Sequence, residues 1–78
     1  MTIKTFTYKT NTGNKDVQIA VDEQKSSPKN FYNMAVNCPN HGNNVSFADG
    51  NSHEEAADGA AVGHNQDYSD CINLSSRT

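Results

Sequence analysis

The sequence contains few of the large apolar side chains from which a domain core is built. Among its 78 residues there are one Leu, three Ile, five Val and three Phe, and no Trp. Together they make up about 15% of the chain, a fraction so low that composition alone would suggest disorder. So few large side chains on so short a chain exclude two domains and the deep pocket of a self-contained enzyme. We therefore predict one small domain, residues 1–78, that is not an enzyme.

Other absences narrow the choice of function. No apolar run approaches the length of a membrane-spanning helix, so we expect no membrane span. Residues 1–7 lack the apolar segment of a secretory signal, which predicts a cytoplasmic protein if Met1 is the native start and an extracellular one if the chain is a mature fragment. There is no glycine-rich phosphate loop, nucleophile elbow or cysteine–histidine signature of a known enzyme family. We predict neither a catalytic residue nor a cofactor.

Charge is divided unevenly along the chain. Residues 1–30 have five Lys against three carboxylates, a net charge of +2, whereas residues 31–78 have one Arg against six carboxylates, a net charge of −5. Five dispersed Lys are too few for the dense basic stripe that duplex binding requires, so direct nucleic-acid binding is not expected. The acidic half suits a basic partner surface, and we predict an acidic surface at Glu54, Glu55 and Asp58.

The first half of the sequence alternates at the period of a β-strand. Residues 2–10 and 16–22 alternate on either side of a turn cluster that contains Gly13, which predicts a β-hairpin over residues 2–22. A polar connector follows at residues 23–30. Residues 31–38 alternate again and stop at Pro39, which predicts a third strand.

The second half of the sequence predicts shorter elements. Residues 31–74 as a whole are expected to contain strands, an Asp-Gly hairpin and a short acidic helix. Val45–Phe47 favours a short strand that ends at an Asp49–Gly50 hairpin turn. Ser52 and Glu55 have the spacing of a capping box, which predicts a short acidic helix near residues 53–58 that ends at Gly59. Residues 68–74 suggest a last strand and residues 75–78 a flexible tail. The predicted fold is α+β or mostly β, a small antiparallel sheet of four to five short strands opened by the N-terminal hairpin, with at most one short helix.

The two cysteines, Cys38 and Cys71, are 33 residues apart. If they form a disulfide, loop entropy assigns it roughly 3–4 kcal/mol of stabilisation. That would be a large share of the stability of so thin a core. The alternative is a pair of buried free thiols, as is usual in cytosolic proteins.

A third possibility for the cysteines is a metal site. Residues 38–42, Cys-Pro-Asn-His-Gly, resemble the knuckle of a zinc ribbon, in which two residues separate two ligands in a turn. A structural site needs a second ligand pair, for which His53 or His64 with Cys71 are the candidates, and six residues between His64 and Cys71 do not form a knuckle. We therefore expect no metal and three surface histidines. Were a metal bound, its ligands would be Cys38, His41, His64 and Cys71.

Residues 41–50, His-Gly-Asn-Asn-Val-Ser-Phe-Ala-Asp-Gly, resemble a C-terminal motif of secreted pseudopilin-like proteins. In those proteins a His precedes an Asn-Val-x-Phe-Ala-Asp-Gly hairpin. The resemblance covers ten residues and describes a strand with an Asp-Gly turn. It implies a secreted or surface domain, which a Cys38–Cys71 disulfide would stabilise.

These observations rank the classes of function. Because a small sheet recognises partners by its surface, we predict a non-enzymatic protein-binding module, an accessory or inhibitor protein that occupies a partner's surface. Exposed aromatic side chains are the usual anchors of such contacts, and the candidates are Tyr8, Phe31, Tyr32 and Tyr68. Self-association is a further possibility. The alternatives are the secreted, disulfide-stabilised domain and a small zinc-stabilised module.

Overall fold

The computed structural model describes residues 2–25 and 30–78, which form a five-stranded antiparallel sheet with one helix packed on one face. The elements are β1 (Thr2–Thr10), β2 (Asp16–Lys25), β3 (Asn30–Cys38), β4 (Gly42–Asp49), α1 (His53–Tyr68) and β5 (Ile72–Asn73). In space the strands follow the order β4-β3-β2-β1-β5. The small antiparallel α+β sheet predicted from the sequence is confirmed. No helix in the described ranges is long and apolar enough to cross a membrane.

The N-terminal hairpin forms because β1 and β2 both alternate. Phe6 pairs with Ile19 and Tyr8 with Val17, so the apolar side chains of both strands lie on one face. The turn between them uses left-handed backbone at Gly13 (φ 83°), which glycine adopts without steric cost. The predicted hairpin is confirmed. Part of the predicted connector, residues 23–25, instead continues β2, and residues 26–29 lie outside the described part of the chain.

The strand β3 carries its apolar side chains at every second position. Tyr32, Met34, Val36 and Cys38 are all buried on the helix-covered face, as the alternation predicted. A tight turn after Cys38 leads directly into β4, and Gly42 at the start of β4 has φ 81°. β4 pairs with β3 along its whole length and is longer than the predicted strand at residues 45–47. It forms one edge of the sheet.

The helix α1 is much longer than predicted. Ser52 caps it by accepting a hydrogen bond from the backbone N–H of Glu55 (3.1 Å), so the predicted start is correct. Gly59 does not end it, because the helix continues to bury small side chains against the sheet; these are Ala56, Ala57, Ala60 and Ala61. The predicted Asp49–Gly50 hairpin is also wrong. Those residues lead from β4 into the cap of α1.

The C-terminal segment is more ordered than expected. Ser69 and Asp70 adopt left-handed backbone (φ 48° and 58°) and reverse the chain after α1, so the predicted strand at 68–74 is reduced to β5, which pairs with the end of β1. The predicted flexible tail instead contains a 3-10 turn (Leu74–Ser76), and the backbone N–H of Thr78 donates to the carbonyl of Thr7 (2.9 Å).

The core lies between α1 and the sheet, and it includes two of the predicted surface anchors. Tyr8 and Tyr32 are fully buried, so neither can contact a partner, and this part of the prediction is wrong. Because large aliphatic side chains are scarce, the tyrosine rings provide much of the core volume. The Tyr8 hydroxyl donates to Asp58 Oδ1 (2.6 Å), and burial together with this carboxylate raises the pKa of Tyr8 well above its usual value.

Replacing Tyr8 by Phe tests this hydrogen bond without emptying the core. The ring is kept, so we expect a modest fall of about 1 kcal/mol in the free energy of unfolding. Asp58 retains Arg77 as a partner (2.6 Å), which limits the loss. Chemical denaturation of both proteins measures the difference. Equal stability would show that the Tyr8 hydroxyl contributes nothing to the fold.

Candidate metal centre

Four potential metal ligands from distant parts of the sequence meet at one end of the sheet. Cys38 is the last residue of β3, His41 lies in the β3–β4 turn, His64 lies in the last turns of α1, and Cys71 precedes β5. One ligand atom from each side chain lies within 4.8 Å of all the others. Cys38 and His64 are buried, Cys71 is half-buried and His41 is exposed, so the cluster lies just beneath the surface.

Three of the six distances between these atoms match those of a tetrahedral zinc site. Cys38 Sγ lies 3.7 Å from Cys71 Sγ and 3.5 Å from His41 Nδ1, and His41 Nδ1 lies 3.3 Å from His64 Nε2. Zinc bonds of about 2.3 Å to sulfur and about 2.0 Å to nitrogen at tetrahedral angles separate ligands by about 3.8 Å (S–S), about 3.5 Å (S–N) and about 3.3 Å (N–N). All three separations agree with this geometry.

The β3–β4 turn sets the first ligand pair. The backbone N–H of His41 donates to the carbonyl of Cys38 (3.3 Å), which closes the turn and brings both side chains to the same side. The positive φ of Gly42 then allows the chain to enter β4. This is the knuckle that the sequence resembled, formed at residues 38–42.

Two asparagines fix the position of Cys71. The side chain of Asn65 accepts from the backbone N–H of Ile72 (2.7 Å) and donates to the Ile72 carbonyl (2.9 Å). On the other side, the backbone N–H of Asn11 donates to the carbonyl of Cys71 (2.9 Å), and its side chain donates to the carbonyl of Asp70 (2.6 Å). The short segment that carries Cys71 is thus tied to both α1 and β1.

An aromatic ring lies over the histidines. Tyr68 stacks on His41 with the ring centroids 3.8 Å apart and the planes 14° apart, and it also contacts His64 at 4.7 Å. Tyr68 lies one helical turn beyond His64, so the end of α1 supplies both a ligand and the ring that orients the exposed ligand.

Burial and neighbouring groups shift the pKa values of two residues of the cluster, His64 and Cys71. Burial, followed by the proximity of His41, lowers the pKa of His64, which favours the neutral imidazole that binds metals. Burial and the neighbouring Cys38 thiol raise the pKa of Cys71. A divalent cation among these groups opposes that rise, because thiols bind metals as thiolates and release their protons on binding.

The structure sorts the residues singled out in the sequence. It brings together Cys38, His41, His64 and Cys71, which are the four residues that the sequence offered as ligands if a metal is bound. Both cysteines are free thiols. His53 is not part of the cluster and packs edge-on against Tyr32 (5.4 Å) at the other end of α1.

The remaining predicted binding residues lie elsewhere. Among the candidate anchors, Phe31 is 36% exposed and stacks on Phe47 (6.1 Å), while Tyr68 is 37% exposed and packs on the two histidines of the cluster. Of the predicted acidic surface, Glu54 and Glu55 are exposed and Asp58 is half-buried between Tyr8 and Arg77.

Sequence reasoning missed the residues that support the ligands. Asn11 and Asn65 were two of eleven asparagines, and nothing in the sequence separates them from the asparagines of ordinary turns. The useful signal was the spacing of His53, Ala56, Ala57, Ala60, Ala61 and His64, which follows one face of a helix. A helix extended to residue 64 would have placed that histidine near Cys71.

The sequence was compared with known proteins. No protein-family model matches it, and no curated protein or solved structure does so either.

Proposed function

We propose that this chain is a small, non-enzymatic binding module stabilised by one zinc ion, with Cys38, His41, His64 and Cys71 as the ligands. The observation that supports this most strongly is the set of three ligand separations, 3.3, 3.5 and 3.7 Å, each characteristic of a tetrahedral zinc site. Packing alone does not require the side chains of residues 38, 41, 64 and 71 to lie at these distances from one another.

The chemistry of the four ligands favours zinc. Two thiolates and two imidazoles form the Cys₂His₂ set typical of structural zinc sites. Hard cations such as Mg²⁺ and Ca²⁺ prefer oxygen ligands, which this set does not contain. Two thiolates also balance the charge of a divalent cation, so the occupied site is neutral and suits a partly buried position.

A structural role follows from the number of ligands. Four protein ligands complete a tetrahedral shell, whereas catalytic zinc sites keep one position open for water or substrate. An additional cross-link would also stabilise the fold, because a hydrophobic core of this size seldom contributes more than about 3–5 kcal/mol to the free energy of unfolding. The ion would join the end of β3 and the turn after it to the end of α1 and the segment before β5, although His41 and His64 are 23 residues apart in the sequence and Cys38 and Cys71 are 33 residues apart.

Metal analysis of the purified protein tests the proposal. We expect one zinc per chain by elemental analysis and native mass spectrometry. Replacing zinc by Co²⁺ should give the visible ligand-field bands of tetrahedral cobalt and a thiolate charge-transfer band. Cys38→Ser and His64→Ala should each weaken zinc binding by at least tenfold.

His53→Gln is the matched control, since it alters a buried histidine of the same helix outside the cluster. This variant should keep one zinc per chain even if it is less stable. A wild-type protein that binds no zinc under reducing conditions, or a Cys38→Ser variant with unchanged affinity and cobalt spectrum, would contradict the proposal.

A disulfide-stabilised domain is the second candidate, and the 3.7 Å separation of the two sulfur atoms supports it. A disulfide would consume both thiolates, so the oxidised pair and the zinc site exclude each other. Intact mass under non-reducing conditions distinguishes them, because the oxidised chain lacks two hydrogens and cannot be alkylated. Zinc-bearing protein that becomes alkylated only after chelation supports the zinc proposal.

A further inference from the structure

A groove lies between α1 and the edge of the sheet at β4. Its volume is about 610 Å³. Small and apolar residues of β3 and α1 form its floor; they are Met34, Val36, Ala56, Gly59, Ala60 and Gly63. The consecutive residues 44–49 of β4 also line it, so the backbone of the edge strand borders the groove.

This edge of the sheet is open to strand addition. β4 pairs with β3 on one side, and nothing in the described ranges pairs with its other side. Proteins usually protect such an edge with Lys, Pro or an inward-pointing charge. Residues 42–48 of β4 contain none of these, and Asp49 at its end is the one charged residue in the strand.

Two glycines keep the groove wide. Gly59 and Gly63 lie one turn apart within α1, where glycine costs roughly 0.5–1 kcal/mol relative to alanine. A Cβ atom at either position would meet nothing within 4 Å, so close packing in the folded chain does not require glycine there. The space that a side chain would fill is open groove.

The charges around the groove indicate what it accepts. Asp49 and Glu55 lie near one end, where β4 leads into α1, and Asp67 lies near the other end, beside His64. Neither of the two ion pairs found among the described residues, Lys9–Asp16 and Arg77–Asp58, involves these three carboxylates. Among the residues that the structure describes, no Lys or Arg lines the groove.

We infer that the groove binds an extended segment of a partner protein, which adds to the sheet beside β4 and has apolar side chains between basic ends. The partner's backbone would pair with the free edge of β4, and alternate apolar side chains would enter the groove. Its Lys or Arg residues would face the carboxylates at the two ends. A second copy of this chain fits less well, because its β4 has no cation and both chains are acidic overall.

A designed peptide tests this inference without knowledge of the natural partner. The probe is a short capped peptide with Lys at each end and alternating Val and Thr between them. Calorimetry with the full chain as purified should show one-to-one binding that weakens as salt is added. The same peptide with Glu in place of Lys should bind at least tenfold more weakly.

Backbone methylation of the probe distinguishes strand addition from other modes of binding. Alternate N–H groups of a strand point to opposite edges, and only one set can reach β4. N-methylation of one set should abolish binding, whereas methylation of the other set should leave it nearly unchanged. Equal loss from both sets would overturn strand addition.

Variants of the chain locate the site. Gly59→Leu should fill the groove and weaken peptide binding at least tenfold, while the fold and the zinc content stay the same. The control is Val62→Leu, which changes an exposed residue outside the groove and should leave peptide binding unchanged. Glu55→Gln should weaken binding about two- to fivefold and reduce its salt dependence, whereas Glu54→Gln should not.

Three results would overturn the inference. One is undiminished peptide binding by Gly59→Leu. Another is equal binding of the acidic and basic peptides. The third is a wild-type dimer, seen by sedimentation, that Gly59→Leu converts to a monomer, since it would make a second copy the occupant. Each result is independent of the zinc proposal, because zinc content is measured separately in every variant.

Discussion

Removing zinc with a chelator is expected to lower the free energy of unfolding by at least about 3 kcal/mol. The reason lies in what the ion would join. Cys38 ends the interior strand β3, Cys71 precedes the edge strand β5, and His64 lies near the end of α1. Without the ion, four polar groups converge with no cation to satisfy them.

Thermal unfolding with and without chelator measures this effect. For a domain of this size about 3 kcal/mol corresponds to a fall in Tm of roughly 12–24 °C. Returning zinc in equimolar amount should restore the original curve. The Cys38→Ser variant is the control, since its unfolding should already be insensitive to chelator. An unchanged Tm in wild-type protein from which mass spectrometry shows the metal to be gone would rule out a structural role for zinc.

Much of the sheet was predictable because its strands alternate strictly. Val17, Ile19 and Met34 each occupy the face that a two-residue period assigns to the core. The helix was less predictable for a physical reason. Its buried face consists of alanines and histidines, whose hydropathy differs little from that of its exposed face. In addition, Gly59 is a residue type that commonly ends helices. Packing against the sheet keeps this segment helical through Gly59 and Gly63.

The candidate metal centre was only half predictable. The pair Cys38 and His41 is local, so its spacing in the sequence reports its geometry. The pair His64 and Cys71 depends on where α1 ends and on the left-handed backbone of Ser69 and Asp70 that turns the chain back. Non-glycine residues with positive φ are uncommon, and nothing in the residue types at positions 69 and 70 predicts two in succession.

The side chain of Asn65 is expected to matter for both the fold and the metal. Asn65→Ala should lower the free energy of unfolding by about 2–4 kcal/mol, because it leaves the N–H and the carbonyl of Ile72 without their partners. It should also weaken zinc binding about 10–100-fold, since Cys71 adjoins the segment that Asn65 holds. Denaturant unfolding and competition with a zinc indicator measure the two effects.

Two further variants make the prediction for Asn65 specific. Asn65→Asp retains the acceptor for the Ile72 N–H and loses the donor to its carbonyl, so both effects should be intermediate. Asn73→Ala removes a side chain that accepts from the backbone N–H of Ser75 (3.1 Å) and is not one of the four candidate ligands, so zinc affinity should remain at the wild-type value. If Asn65→Ala loses stability but binds zinc as tightly as wild type, Asn65 serves the fold alone and the position of Cys71 is set by Asn11 and the ion itself.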